Sequence, residues 1–254
     1  MLTAITRAVS PGLNQCELEF RDREPIDVIK AALQHQHYEE RLRSLGVTVI
    51  SLPAEPEFPD AVFVEDPAVV LDEVAVMTRM GAASRRGESE SLARVLERYR
   101  PLEWLTEPAT LEGGDVMRIG RRLFVGASRR SNPAGLARFA EILQPLGYTV
   151  EAVQVHGCLH LKSACTYLGR DTILANRAWI DSAPLGDFAI VDVAAGESDA
   201  ANALAIGDTV LFPASFPKTA ARLEDLGWKL LRLDISELMK AEAALTCSSL
   251  IFEA

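Results

Sequence analysis

The sequence predicts an α/β fold in which one small unit of strand, turn, strand, helix and strand recurs about five times and closes into a ring. Three observations predict it. Apolar runs flank a tight turn four times along the chain. Amphipathic helical stretches end repeatedly in Leu-Gly and run straight into a new strand. The composition, 48% hydrophobic and 24% charged over 254 residues, supplies enough apolar side chain for a substantial core and excludes disorder.

The elements follow in chain order. A first helix over Ile26–Ser44 stops at Leu45-Gly46, where glycine tolerates the backbone turn that ends a helix, and Val47 opens a strand. Ala68–Met77 folds back around Asp72-Glu73 as a hairpin, and the helix Glu88–Tyr99 feeds a strand at Leu102–Leu105. Val116–Val125 turns at Gly120-Arg121, and the helix Pro133–Pro145 stops at Leu146-Gly147 before Tyr148. Thr166–Ala175 turns at Gly169-Arg170. The helix expected next shrinks to a turn near Ser182–Phe188, yet Ala189–Val193 still reads as a strand. Leu204–Phe212 turns at Gly207-Asp208, and Lys218–Asp225 is a helix that stops at Leu226-Gly227 before Trp228. The last copy is completed by N-terminal residues, which closes the ring into one domain spanning 1–254 around a central cavity. A doubly wound α/β sheet is the alternative for such a pattern.

Charge narrows the partners. Lys and Arg total 26 against 36 Asp and Glu, a net charge of −10, which repels phosphate backbones and anionic bilayers. Nucleic acid and membrane partners are not expected. No apolar run approaches the roughly 18–20 residues of a membrane span. The N-terminus MLTAITRAVSPG lacks the basic and apolar regions of a secretory signal, so a cytoplasmic location is expected. The four cysteines, Cys16, Cys158, Cys165 and Cys247, form no disulfide framework and are expected as free thiols.

Several residues break the apolar pattern. Asp60, Glu65 and Asp66 punctuate an otherwise buried segment; they are either exposed strand-end acids or buried carboxylates that need a cationic partner. Leu111-Glu112-Gly-Gly-Asp115 sets acids around two glycines that permit close approach of backbone or ligand; Asp115 serves equally well to hold turn amides. Strand alternation over His156–Lys162 would place His156, Cys158, His160 and Lys162 on one face, with Cys165 nearby. These ligand types suit zinc, but one strand cannot wrap a tetrahedron. Cys247 lies among small hydroxyl residues at the start of an apolar strand, as a nucleophile or as an inert small hydrophobe. Arginine pairs at 85-86, 121-122 and 129-130 are surface groups by default and carboxylate clamps where they border a site.

Taken in order, the acid-rich strand, Arg85-Arg86-Gly-Glu88, Glu112-Gly-Gly-Asp115, His160-Leu-Lys162 and Cys247 resemble the dimethylarginine dimethylaminohydrolases over nearly the whole chain. The resemblance implies the five-bladed α/β-propeller of the guanidino-modifying superfamily. It implies hydrolysis of Nω-methylated L-arginine to L-citrulline with release of methylamine or dimethylamine, without a cofactor or catalytic metal. It puts Cys247 at the nucleophile, His160 at the general acid/base and Glu112 at its carboxylate partner. Asp60, Glu65 and Asp66 stand where the family holds the guanidinium, Arg85 and Arg130 where it holds the carboxylate. Backbone carbonyls at Leu18 and Ala241 stand at the α-amino group. Arginine deiminases typically carry aspartate where this chain has Lys162, which favours a methylated substrate. An arginine deiminase-like activity and a non-catalytic guanidine- or protein-binding propeller are the alternatives. Ala243 stands where family members commonly have glycine, which bears on the α-amino end. Zinc bridging Cys247 and His160 is an inhibitory ligand their chemistry permits. The loop Leu13–Arg23 is the expected lid, and the assembly is a monomer or homodimer.

Overall fold

The structure, a computed structural model, describes residues 1–254. It contains five three-stranded sheets. The first joins β1 (Leu2–Arg7) to β2 (Thr48–Leu52) in parallel and to the C-terminal β15 (Leu250–Glu253) in antiparallel register. The others are β3–β5 (Ala68–Val70, Ala75–Met77, Leu102–Trp104), β6–β8 (Val116–Ile119, Arg122–Ala127, Thr149–Gln154), β9–β11 (Cys165–Gly169, Thr172–Ala175, Ala189–Asp192) and β12–β14 (Leu204–Ile206, Thr209–Pro213, Lys229–Leu233). Each repeats the same plan. A hairpin pairs the first two strands antiparallel, and the third returns parallel to the second.

Four of the sheets are crossed by a helix: α1 (Val28–Ser44), α2 (Ser89–Leu96), α3 (Pro133–Leu143) and α5 (Pro217–Asp225). In the fourth unit the crossing is a 3-10 turn at Ala183–Leu185, as the sequence suggested. Helix α1 starts at Val28 rather than Ile26, because the Asp27 carboxylate caps it by accepting from the Lys30 amide at 3.0 Å. The three Leu-Gly stops are real: Gly46, Gly147 and Gly227 have φ of +83°, +81° and +81°, a region where any Cβ is strained.

Ring closure follows from where the apolar side chains go. Ile5, Leu250 and Phe252 of the first sheet pack with Ala75, Met77 and Leu92 of the second unit. Val69 and Val76 pack with Leu123, Val125 and Phe139 of the third. Met117 and Phe124 meet Ile173 and Ala175 of the fourth. Leu168 and Leu174 meet Val210, Phe212 and Leu223 of the fifth, and Ile206 and Leu211 return to Ala4, Leu42 and Val47 of the first. Five cores lie between five sheets, and the last leads back to the start. No central doubly wound sheet exists.

One local expectation fails. The segment His156–His160 is not a strand; it is a bend after β8 that leads into the single-turn α4 (Leu161–Ala164). His156 is exposed while Cys158, His160 and Cys165 are buried, so period-two alternation does not apply and the single zinc-binding face disappears. Gly157, at φ +68°, turns the chain there.

Candidate active site

The inner strand of each unit is preceded by a short irregular lead-in, and these lead-ins converge at the ring centre. Glu65-Asp66 precede β3, Glu112–Asp115 precede β6, His160–Lys162 precede β9, Asn202 precedes β12 and Cys247 precedes β15. Arg85 and Arg130 also occupy matched positions, each following the second strand of its unit. The pseudo-fivefold repeat thus brings residues far apart in sequence to one place.

A small cavity is lined by Asp60, Asp66, Arg85, Arg130, His160, Ala241 and Cys247, together with Glu17 and Glu242. Seven of the ten residues singled out by the sequence therefore meet around it. Glu112 lies directly behind His160: the imidazole Nε2 and the Glu112 carboxylate are 2.7 Å apart, both fully enclosed. Glu65 behaves differently. Its carboxylate takes Lys162 Nζ at 2.5 Å and the Thr246 hydroxyl at 2.9 Å, and with these residues it lines a second, larger cavity. Its backbone amide still donates to the Cys247 carbonyl at 3.3 Å. Leu18 packs at the edge of the first core among Leu13 and Cys16 rather than lining the cavity.

Glycine makes the close approach possible. A Cβ at Gly114 would lie 2.5 Å from His160 Nδ1 and 2.7 Å from Asp66 Oδ1, so the Glu-Gly-Gly-Asp string is a steric requirement at this point. Asp115 takes the structural part: it accepts from the Leu161 amide at 2.9 Å and from Ser128 and Ser131 hydroxyls at 2.6 Å each.

The electrostatics are those of a buried, acid-rich pocket. Burial alone would lower the His160 pKa, but Asp66, the bond to Glu112 and Asp115 outweigh it and push it up to about 9. Glu112 answers in the other sense: burial opposes its charge, yet the hydrogen bond from His160, with its charge and the arginines, brings it down to about 2. The pair is an imidazolium carboxylate through the neutral range. Burial, then the charges of Glu65 and Asp66, push the Cys247 thiol up, so these surroundings keep the sulfur protonated. Burial also raises Asp60 against the pull of Arg85. Arg85 binds Asp66 at 2.9 Å and Glu88 through two bonds at 3.0 and 2.9 Å, and their charges hold its pKa well above normal despite burial.

Donor atoms of Asp66, Glu112 and His160 lie within 4.8 Å of one another and form the metal-type cluster of the site. It differs from the expected Cys247 and His160 pair, and all three members already have protein partners.

Sequence reasoning quoted Glu88 within its motif but gave it no role, and missed Asn202 and the Lys162–Glu65 pair. Asn202 binds the Lys162 carbonyl and the Thr246 hydroxyl at 2.9 Å each, and accepts from the Thr246 amide at 3.1 Å, which fixes the residue before Cys247. Its signal was positional: it occupies the same lead-in slot of the repeat as Glu112 and His160.

The family described as N,N dimethylarginine dimethylhydrolase, eukaryotic, matches residues 13–184. The N(G),N(G)-dimethylarginine dimethylaminohydrolase of Pseudomonas aeruginosa is 35% identical, covering 89% of this chain and 90% of its own. The enzyme of that name from Streptomyces coelicolor is 38% identical, covering 97% and 95%. The chain belongs to the dimethylarginine dimethylaminohydrolase family. A solved structure of the Pseudomonas aeruginosa dimethylarginine dimethylaminohydrolase, a Cys-to-Ser variant complexed with citrulline, superposes with a TM-score of 0.94 at 33% identity, covering 98% of each chain. The five-unit ring is therefore the family fold. The N-terminal domain of a cyanobacterial arginine dihydrolase shares that fold alone, with a TM-score of 0.85 at 18% identity.

Proposed function

We propose that this chain hydrolyses Nω-methylated L-arginine to L-citrulline and methylamine or dimethylamine. The observation that carries it is the joint lining of one enclosed cavity by Cys247, His160 and the carboxylates Asp60 and Asp66, with Glu112 behind the imidazole. The solved family members complexed with citrulline and with S-methyl-L-thiocitrulline support the substrate class.

The acids hold the substrate guanidinium in its protonated, electrophilic form. Arrival of that cation beside Cys247 offsets the acids that keep the sulfur protonated, so the thiol gives its proton to solvent water and the thiolate forms with substrate in place. The sulfur adds to the guanidinium carbon. The tetrahedral adduct expels the methylated nitrogen, which takes a proton from the His160 imidazolium, and a covalent S-alkylthiouronium remains. Neutral His160 then deprotonates a water that adds to the same carbon, the carbon–sulfur bond breaks, and citrulline leaves. Glu112 stabilises the charged imidazole and leaves Nδ1 as the nitrogen free to exchange protons. Glu65 is turned away onto Lys162, so Asp60 and Asp66 alone grip the guanidinium, and the side without a carboxylate has room for methyl groups. Arg85 and Arg130 hold the α-carboxylate, and the carbonyl of Ala241 the α-amino group. That carbonyl accepts no bond from another backbone amide.

Mass spectrometry of the protein quenched during turnover of dimethylarginine tests this. A mass increment on the peptide containing Cys247, absent in Cys247→Ser together with citrulline release, is expected. Wild-type turnover by Cys247→Ser would overturn the mechanism. Faster ammonia release from arginine than amine release from dimethylarginine would assign a deiminase.

A further inference from the structure

The loop between Gln15 and Val28 has no regular secondary structure, and side chains hold it beside the cavity, which its Glu17 lines. Glu242 is the main anchor. Its Oε1 accepts from three successive amides, those of Glu19, Phe20 and Arg21, at 3.0, 2.5 and 2.6 Å. A run of amides converging on one carboxylate oxygen is an anion nest. Glu242 adopts the left-handed backbone, φ +57°, to reach it.

That nest aims Glu19. Its carboxylate binds Arg130 Nε through Oε2 at 3.1 Å and Arg129 Nη1 through Oε1 at 3.1 Å. Arg130 also lies 3.4 Å from Glu112, and its side chain is only 8% exposed. Arg85, the other carboxylate-binding candidate, spends its donors on Asp66 and Glu88, both rigidly held at the wall. Arg130 is therefore the guanidinium whose partner sits on a loop and can leave.

We propose that Glu19 is a specificity-determining residue: its carboxylate occupies on Arg130 the place of the substrate α-carboxylate. A guanidine bearing a carboxylate must displace Glu19, whereas a carboxylate-free guanidine binds with Glu19 left in position. The inference rests on the assignment of Arg130 to the carboxylate end. It adds a substrate class, the aminoalkyl methylguanidines that correspond to decarboxylated methylarginine. Their terminal ammonium would meet Glu17 and Glu242, which also line the cavity. The two arginines do not by themselves demand a carboxylate, since both are already paired with acids.

The test compares L-citrulline with its decarboxylated counterpart, (4-aminobutyl)urea, by calorimetric titration of the whole chain, so that no turnover is involved. Glu19→Gln is expected to shift the ratio of the two dissociation constants about tenfold in favour of citrulline, the scale of one charge-assisted hydrogen bond. Glu19→Asp, which keeps the charge, is expected to restore most of the wild-type ratio. A role of Glu19 in lid stability alone would move both ligands together and leave the ratio unchanged; that result, or citrulline binding to neither protein, overturns the proposal. Amine release from methylarginine and from N-methylated (4-aminobutyl)guanidine is measured alongside. Turnover of methylarginine with an unchanged binding ratio sinks the role of Glu19 and spares the hydrolase. A shifted ratio with no turnover of either compound does the reverse.

Discussion

The two ends of the cavity are built differently. At the guanidinium end, Cys247, His160, Glu112 and Asp66 sit on lead-ins to inner strands, and bonds between units hold those lead-ins: His160 to Glu112, the Gly114 amide to Asp66, the Leu161 amide to Asp115 and the Thr246 amide to Asn202. At the amino-acid end, Glu19 and Glu242 sit on loops, and Arg129, with a side chain 76% exposed, shares the grip on Glu19. Chemistry that tolerates little misplacement is fixed by the repeat, while recognition of the rest of the substrate is left to segments that can move.

Breaking the rigid end should cost most. Glu112→Gln removes the charge that keeps His160 protonated and is expected to lower kcat about 100- to 1,000-fold, the scale of losing one positioned acid/base. KM should change little, since Glu112 does not line the cavity. Steady-state kinetics with dimethylarginine check it; a KM effect without a kcat effect would move Glu112 into substrate binding.

Gly114→Ala attacks the same end through packing. The new methyl meets His160 and Asp66, whose positions are fixed by Glu112 and Arg85. Overpacking of this kind costs about 1–3 kcal/mol, so a lower thermal midpoint and a large loss of kcat are expected together. A variant of wild-type Tm and activity would show that this end yields more than the geometry allows.

The His160–Glu112 pair also gives the rigid end a pH signature. His160 rises from 6.5 to about 9 on folding, so the native state holds a proton that the unfolded chain releases. Its contribution to stability is complete below pH 6.5 and is lost as pH climbs through about 9. Glu112 falls from 4.5 to about 2; its contribution is present above pH 4.5 and disappears as pH falls through 2. Urea midpoints measured from pH 6 to 10 should decline toward the alkaline side, and kcat should fall above about pH 9 with loss of the imidazolium. His160→Asn should flatten the stability decline.

The same contrast explains what could be read from the sequence. Hairpin turns, Leu-Gly stops and the fivefold recurrence were legible because each is a local pattern, and Cys247, His160 and Glu112 were legible because the rigid end follows the family motifs. Glu65 was not: it is an acid of the expected motif, and only the fold reveals that Lys162 and Thr246 take up its oxygens. The strand expected over His156–Lys162 failed because Gly157 bends the chain and a single helical turn follows from Leu161, so the alternation of residue types there has no sheet to serve. Glu19 and Glu242, far apart in sequence, meet through backbone amides that carry no residue-type signal at all.

The smallest effect is expected at the loop end. Glu242→Gln keeps the shape of the anchor but replaces charge-assisted acceptance by neutral acceptance, roughly halving the strength of each of three amide bonds. Global stability should hardly change, since those amides lie in a loop outside the five cores. Local opening is another matter, because the Glu242 nest fixes the segment from residue 19 to 21. Hydrogen exchange of those three amides should accelerate about tenfold relative to the wild type, while amides of β6 and β9 keep their protection. Equal acceleration in both regions would mean that the loop and the ring open as one unit, and the division between a rigid reacting end and a movable recognition end would fail.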